Sequence, residues 1–377
     1  MTKTTQYKNW IVKSIGESVY TVSIPKKIQT KDYSSEGKYP IVDQGKHKIC
    51  GYSNEEEYLI NDIPLVMFGD HTKEIKYLDF NFLVGADGTK LLKSKSLTTE
   101  FLFQTLVYYR DSLPDLGYSR YFTELKNIDI KIPPLPEQHK IAEVLSTWDK
   151  AIQDTDAIIK KLEARNKALA TSLLTGESRI EAFKNSPSAK LEIKDVAKEI
   201  SLKNKEDHNY TVFSCTKYNG LVPSLEYFGK KIYSDNLKTY KIIKRNQFAY
   251  ATNHIEEGSM GILEKEDIGL ISPMYTIFEF NENVNLDYIF KMLKSDFYIN
   301  EYKRRMEGSI DRRGGLRWSA FAQIKINLPS IEEQNAIAEI LNTANQEVKQ
   351  YQQKLEALKL QKKGLMQQLL TGKVRTV

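Results

Sequence analysis

The sequence predicts an α+β chain with a pseudo-twofold internal repeat: two mixed α/β domains separated by two long helices that form an antiparallel coiled coil. Three observations carry this. Residues 137–176 recur without a gap as residues 333–372, 196 positions later, with 14 of 40 positions identical. Each copy carries one apolar seam at helical spacing. Each copy also follows a longer stretch of short β-like runs punctuated by Gly, Asp and Asn. The domain boundaries that follow are 1–132 for the first globular domain and 133–182 for the first repeated region with its helix. The second domain is 183–327, and the second repeated region with its helix is 328–377.

The identical pairs include Glu137, Gln138, Ile141, Ala142 and Glu143 with Glu333, Gln334, Ile337, Ala338 and Glu339 at the start. Leu173, Leu174, Thr175 and Gly176 match Leu369, Leu370, Thr371 and Gly372 at the end. In the first copy the seam is Ile141, Leu145, Trp148, Ile152, Ile159, Leu162, Leu169 and Leu173. In the second it is Ile337, Leu341, Ala344, Val348, Tyr351, Leu355, Leu358, Leu365 and Leu369. Steps of four and three over about five heptads are a coiled-coil pattern. Pro133 and Pro329 stand before each segment and Thr-Gly ends it, the expected start and stop signals. A helix of about 36 residues is about 54 Å long.

Thr155 and Asn166 interrupt the first seam and Lys362 the second; Asn166 and Lys362 are equivalent positions. A parallel pair would set these two polar groups against each other. An antiparallel pair sets Asn166 opposite Ala344 and Lys362 opposite Trp148, its stem over the ring and its ammonium in water. The antiparallel arrangement also carries the two domains to opposite ends of the pair.

In the first domain the expected strands are 19–24, 39–42, 63–68 and 75–82, with a helix over 99–111 and a closing strand at 128–132. Residues 182–189 read as a linker. In the second domain the expected strands are 210–214, 240–243, 247–251, 260–263 and 268–280. A helix is expected over 286–305, then a basic Gly-rich loop at 308–317 and a closing strand at 324–328. The run ending in Gly69-Asp70-His71 aligns with the run ending in Thr252-Asn253-His254.

Composition excludes several classes. No apolar run approaches the length of a membrane span, so no membrane partner is expected. Residues 1–10 lack an apolar signal core. Cys50 and Cys215 lie in opposite halves, form no metal-type cluster and require no disulfide. A cytoplasmic protein is expected. The net charge of +6 is mildly basic and permits nucleic-acid binding without requiring it.

There is no phosphate-binding loop of the G-x-x-x-x-G-K-[ST] type, no nucleotide-type glycine turn and no zinc spacing, so no catalytic residue, metal ligand or cofactor is assigned to this chain. Asp115 followed by Glu124-Leu125-Lys126 resembles the acidic-x-Lys arrangement of metal-dependent nucleases. That alternative reading requires the pair to lie on a strand. The basic features point elsewhere. Arg304, Arg305, Arg312, Arg313 and Arg317 cluster around Gly308, Gly314 and Gly315, where backbone can approach a ligand closely. In the first domain Lys46, His47, Lys48, Lys73 and Arg120 are the counterpart. Such cations neutralise phosphates, while polar side chains at base edges give specificity. Gln44, His71, Thr72, Thr252, Asn253 and His254 are the candidates for the second role.

The motif Pro133…Glu137-Gln138…Ile141-Ala142, repeated as Pro329…Glu333-Gln334…Ile337-Ala338 and closed twice by Leu-Leu-Thr-Gly, resembles the specificity (S, HsdS) subunits of type I restriction–modification systems. The order of parts along the whole chain fits. Phe68-Gly69-Asp70-His71-Thr72 also looks like strings in that family's target-recognition domains. The second copy departs at Ser330 and Glu332, where the first has Pro134 and Pro136. The resemblance implies that each domain is a target-recognition domain reading one half of a bipartite, asymmetric site in double-stranded DNA. It implies that the coiled coil sets the spacing and docks two methyltransferase subunits that bind S-adenosylmethionine. Separate restriction subunits, motor-nucleases using ATP and Mg²⁺, complete such a complex. A 54 Å rod would cover about 16 base pairs.

Overall fold

The computed structural model describes residues 9–115, 117, 119–307 and 315–376. They form two compact units, Met1–Ile158 with Tyr351–Val377, and Ile159–Gln350. Each unit contains one domain and half of each long helix.

In the first unit, Tyr20–Thr21, Thr89–Lys93, Leu65–Gly69 and Ile75–Leu78 form an antiparallel sheet in that spatial order. A second sheet runs Lys27–Ile28, Leu83–Gly85, Tyr39–Val42, Gly51–Ser53. Leu65–Gly69 is buried along its whole length. Because a strand alternates faces, Val66 and Phe68 join the core under the helix Thr99–Arg110. Leu65 and Met67 fill the layer with Val42, Phe82 and Val84 of the second sheet.

The second unit repeats this plan. Ala197–Ile200, Tyr275–Phe280, Phe248–Ala251 and Met260–Ile262 make the antiparallel sheet. Gly220–Pro223, Val212–Thr216, Ile268–Ile271 and Lys241–Lys244 make the other. Both second sheets have one parallel central pair. They differ at one edge, where Lys27–Ile28 runs parallel to its neighbour and Lys241–Lys244 antiparallel.

Several expected elements are corrected. Residues 182–189 are not all linker: Ser188–Glu192 is a strand paired with the closing strand Lys325–Pro329, as Ile11–Ser14 pairs with Asp129–Ile132. The strand expected over 268–280 is two, Ile268–Ile271 and Tyr275–Phe280, divided at a turn around Pro273, whose nitrogen cannot donate to a ladder. The helix expected over 286–305 is also two, Leu286–Leu293 and Asp296–Glu307, the second starting where Ser295 O accepts from Ile299 N. The strand expected over 19–24 shrinks to Tyr20–Thr21.

The long helices are Leu135–Thr175 and Ile331–Leu369, 41 and 39 residues, each about 60 Å at 1.5 Å per residue. They pair antiparallel within each unit. Every seam residue is buried or half-buried: Ile141, Leu145, Trp148, Ile152, Leu355, Leu358, Leu365 and Leu369 in the first unit, with Tyr351, and Ile159, Leu162, Leu169, Leu173, Ile337, Leu341 and Val348 in the second. The three polar interruptions are buried too. Thr155 Oγ1 donates to its own helix at Ala151 O, 2.7 Å away. Asn166 Nδ2 donates to Ala344 O at 2.7 Å, the partner expected of an antiparallel pair. Lys362 differs from expectation. Its ammonium is not in water but donates to Asp149 Oδ1 at 2.5 Å, and the residue is 7% exposed. Asp149 also accepts from Gln104 Nε2 at 2.6 Å, tying the helix pair to Thr99–Arg110.

Candidate functional site

The repeated Glu-Gln dipeptide sits where each long helix leaves its domain, and all four side chains are buried. Gln138 accepts from Thr98 N at 2.8 Å and donates to Ser96 O and Pro133 O at 3.0 and 2.9 Å. Thr98 caps Thr99–Arg110. Gln334 likewise accepts from Asn285 N at 2.9 Å and donates to Pro329 O at 2.9 Å, and Asn285 caps Leu286–Leu293. Each glutamine therefore fixes a domain helix to a long helix. Glu137 accepts two hydrogen bonds from Arg375, at 2.6 and 2.7 Å, and one from Trp10 Nε1 at 2.9 Å. Glu333 accepts two from Arg179, one at 3.0 Å. In both units the arginine follows the end of the other long helix, so the start of one helix is clasped to the end of its antiparallel mate.

In the first unit the candidate reading loops converge. Gln44 Oε1 accepts from His71 N at 3.1 Å, Gln44 Nε2 donates to Asp87 O at 2.7 Å, and Thr72 Oγ1 donates to Gln44 O at 2.7 Å. The Gln44 amide thus organises its neighbours. His71 Nδ1 donates to Ser119 O at 2.9 Å, which sets the tautomer. Asp70 points inward, accepting from Phe122 N at 2.8 Å. Lys73 Nζ donates to Pro114 O and lies 4.3 Å from the Tyr121 ring centroid. Arg120 is exposed just before the helix Tyr121–Lys126. Lys46, His47 and Lys48 are exposed on the neighbouring loop. Lys46 and Lys48 also line a cleft of about 690 Å³ with Glu74, Glu100, Asp149 and Asp156, so these lysines face acidic side chains on one side.

Gly88 makes this convergence possible. Its φ is +85°, and a Cβ there would lie 2.6–2.7 Å from the Gln44 amide and the His71 ring. Gly88→Ala is expected to push Gln44 and His71 apart and to cost about 1–3 kcal/mol. Thermal melting of the variant beside wild type checks this.

In the second unit Thr252, Asn253 and His254 follow Phe248–Ala251. Thr252 O accepts from Leu316 N at 2.9 Å, which stitches residues 315–317 to this loop and brings the exposed Arg317 beside it. His254 Nδ1 faces Glu257 at 3.3 Å. Among the described residues, His254, Glu256 and Glu257 place one potential metal-ligand atom each within 4.8 Å of one another, near the surface. Arg304 is held by Glu301 at 2.7 and 2.9 Å but remains exposed. Arg305 donates to Glu301, Ala320 O and Gln323 O at 2.8, 2.9 and 3.1 Å. That use of all three nitrogens makes it a clamp on the segment after the basic loop. Arg312 and Arg313, with Gly308 and Gly314, lie outside the described residues.

The nuclease alternative is corrected as well. Glu124 and Lys126 lie on the helix Tyr121–Lys126, not on a strand. Residues two apart on a helix point to opposite sides, and Lys126 Nζ lies 5.4 Å from the Phe122 ring centroid. Among the described residues, no helix is long and apolar enough to cross a membrane.

Residues 7–164 match the family model described as type I restriction modification DNA specificity domain. The chain is 26% identical over 406 aligned residues to the type I restriction enzyme MjaVIII specificity subunit of Methanocaldococcus jannaschii, covering 98% of this chain and 93% of that one. The fold is similar to a crystal structure of a type I restriction–modification S subunit from M. genitalium, with a TM-score of 0.57 at 15% identity over 98% of each chain. It is also similar to the HsdS subunit from Thermoanaerobacter tengcongensis, with a TM-score of 0.52 at 14% identity over 97% and 98%. Beside the repeated Glu-Gln clasp and the doubled two-sheet domains, residues 7–164 therefore match a type I restriction modification DNA specificity domain, and the chain along its whole length is similar to specificity subunits of type I restriction–modification systems.

Proposed function

We propose that this chain is the non-catalytic DNA-recognition subunit of a type I restriction–modification complex in the cytoplasm, and that each globular domain, 1–132 and 183–327, reads one half of a bipartite asymmetric target. The observation that carries this is the doubling of one plan with unlike surfaces. The two sheets, the capped helix and the Glu-Gln anchor recur, while Asp70, His71 and Thr72 follow Leu65–Gly69 where Thr252, Asn253 and His254 follow Phe248–Ala251. Like scaffolds with unlike loops suit two different half-sites. Lys46, Lys48, Lys73 and Arg120 in the first domain supply phosphate contacts, as do Arg304, Arg312, Arg313 and Arg317 in the second. The paired helices set the spacing and dock two methyltransferase subunits. S-adenosylmethionine is bound by those subunits, and ATP and Mg²⁺ by restriction subunits.

Co-expression with the methyltransferase partner, followed by mapping of methylated bases, tests the reading. The expected pattern is one bipartite motif with two unlike halves and a fixed gap. A single contiguous motif, no methylation, or Mg²⁺-dependent cleavage by the isolated chain would count against it. Arg317→Ala is expected to weaken binding at one half-site only and to lower the salt dependence by about one phosphate contact. Titrations at two salt concentrations read both.

A further inference from the structure

The hairpin Tyr39–Val42/Gly51–Ser53 of the first unit and the hairpin Val212–Thr216/Gly220–Pro223 of the second hold the same place in their sheets. Their tips, 43–50 and 217–219, differ in length and composition. Both are held by a lysine from elsewhere in the unit. Lys76, on the strand Ile75–Leu78, is 6% exposed and donates to Asp43 O at 2.6 Å and His47 O at 2.5 Å. Lys294, at the end of Leu286–Leu293, donates to Lys217 O at 2.8 Å and lies 3.5 Å from Met260 O. A buried ammonium needs acceptors in place of water; for Lys76 both are tip carbonyls, and the half-buried Lys294 has one, Lys217 O, beside the strand carbonyl of Met260. Burial presses both lysines below the usual ammonium range.

The tips themselves are built to display side chains. Asp43 Oδ1 accepts from Gly45 N and Cys50 Sγ, both at 2.8 Å, which closes the base of the first tip. Lys46, His47 and Lys48 are left exposed above it, and Gln44 joins the tip to His71 and Thr72. In the second tip Asn219 N donates to Thr216 Oγ1 at 3.0 Å, and Tyr218 is 82% exposed with Lys217 Nζ 5.2 Å from its ring centroid. An exposed aromatic beside a cation offers a stacking face and a phosphate contact together.

We propose that Lys76 and Lys294 are positioning residues that set the shape of these two tips, and that the tips are specificity-determining elements, one for each half of the target. This rests on the DNA-recognition reading above. Neither lysine touches DNA; each acts through the carbonyls it holds.

The test uses the full chain in complex with its methyltransferase subunits and a library of duplexes randomised at both half-sites. Bound duplexes are selected and sequenced. If wild type enriches no sequence, the recognition reading itself fails. If wild type enriches a bipartite motif, Lys76→Met, which removes the bonds to both Asp43 O and His47 O, is expected to reduce base preference at one half by about tenfold or more, since one charge-assisted hydrogen bond already corresponds to about tenfold. Preference at the other half should hold. Lys294→Met is expected to do the reverse, and Lys76→Arg, which keeps the cation, to recover most of the loss. Unchanged preferences in both methionine variants, or an equal loss at both halves in each, would overturn the proposal. Should Lys76→Met fail to fold, Lys294→Met decides alone: loss at one half supports it and no loss overturns it.

Discussion

Arg375→Ala is expected to destabilise the first unit by about 3 kcal/mol, the usual cost of stranding one partner of a buried ion pair. Glu137 is 1% exposed, and Arg375 supplies two of its hydrogen bonds. Without the guanidinium, Trp10 Nε1 and Thr376 N remain, two neutral donors for a full negative charge. Arg375 also stacks on Trp10, with its guanidinium carbon 5.5 Å from the ring centroid, so truncation removes packing as well as charge. Chemical unfolding reads the loss as a lower midpoint of the transition that involves Trp10 fluorescence. Glu137→Gln should lose less, because it removes the charge that needs compensation. A midpoint for Arg375→Ala equal to that of wild type would mean the clasp contributes nothing to stability.

The same contact sets an acid dependence. Burial pushes the Glu137 carboxyl up, and hydrogen bonds from Arg375, Trp10 and Thr376 outweigh it, so the group sits below its ordinary value of 4.5. A carboxyl depressed on folding contributes stability that is fully present above the ordinary value and is lost as pH falls through the folded one. The difference in stability between wild type and Glu137→Gln should therefore shrink as pH drops below about 4.5 and stay flat above it. A denaturation series from pH 3 to 7 measures this; a difference independent of pH would remove Glu137 as the source.

The repeat made the long helices and their antiparallel order legible, because Asn166 and Lys362 occupy equivalent positions and only one orientation keeps them apart. The clasp was missed, although Arg179 and Arg375 are also 196 residues apart. They lie past the helix-ending glycines, among residues that do not match, so nothing local marks them. The pairing strands Ile11–Ser14 and Ser188–Glu192 carry weak patterns because their faces are mostly exposed or half-buried. Lys76 left a clearer trace. In Ile75-Lys76-Tyr77-Leu78 the lysine shares its face with Leu78, and both are buried. A cation on the apolar face of a strand implies an acceptor, but which loop supplies it depends on contacts distant in sequence. Arg305 shows the converse, since a basic run reads as surface until a neighbouring carboxylate and two carbonyls are found around one of its members.

Asp149→Ala and Lys362→Met should differ in size although they break the same contact. Lys362 is buried, whereas the Asp149 side chain is 41% exposed. Removing Asp149 strands a desolvated ammonium and takes the partner from Gln104 Nε2, on a residue whose Oε1 already has no partner among the described residues. The expected loss is about 3–4 kcal/mol. Lys362→Met keeps the stem in the seam and leaves Asp149 to water and Gln104. It should cost less than about 1 kcal/mol, and a slight gain is within reach, as when apolar groups replace other buried ion pairs. A double variant should then recover most of the Asp149→Ala loss, because the stranded charge is gone. Exchanging Asn166 and Lys362 between the helices is a harsher test of the same logic. Asn166 donates to the Ala344 carbonyl and accepts from Arg165 at 2.9 and 3.1 Å, whereas Lys362 serves a carboxylate, so the exchange puts a cation beside the Arg165 guanidinium and removes the acceptor that guanidinium uses. Equal losses in the two single variants would show that the pair acts as a surface contact, and that the seam tolerates a charge without needing Asp149.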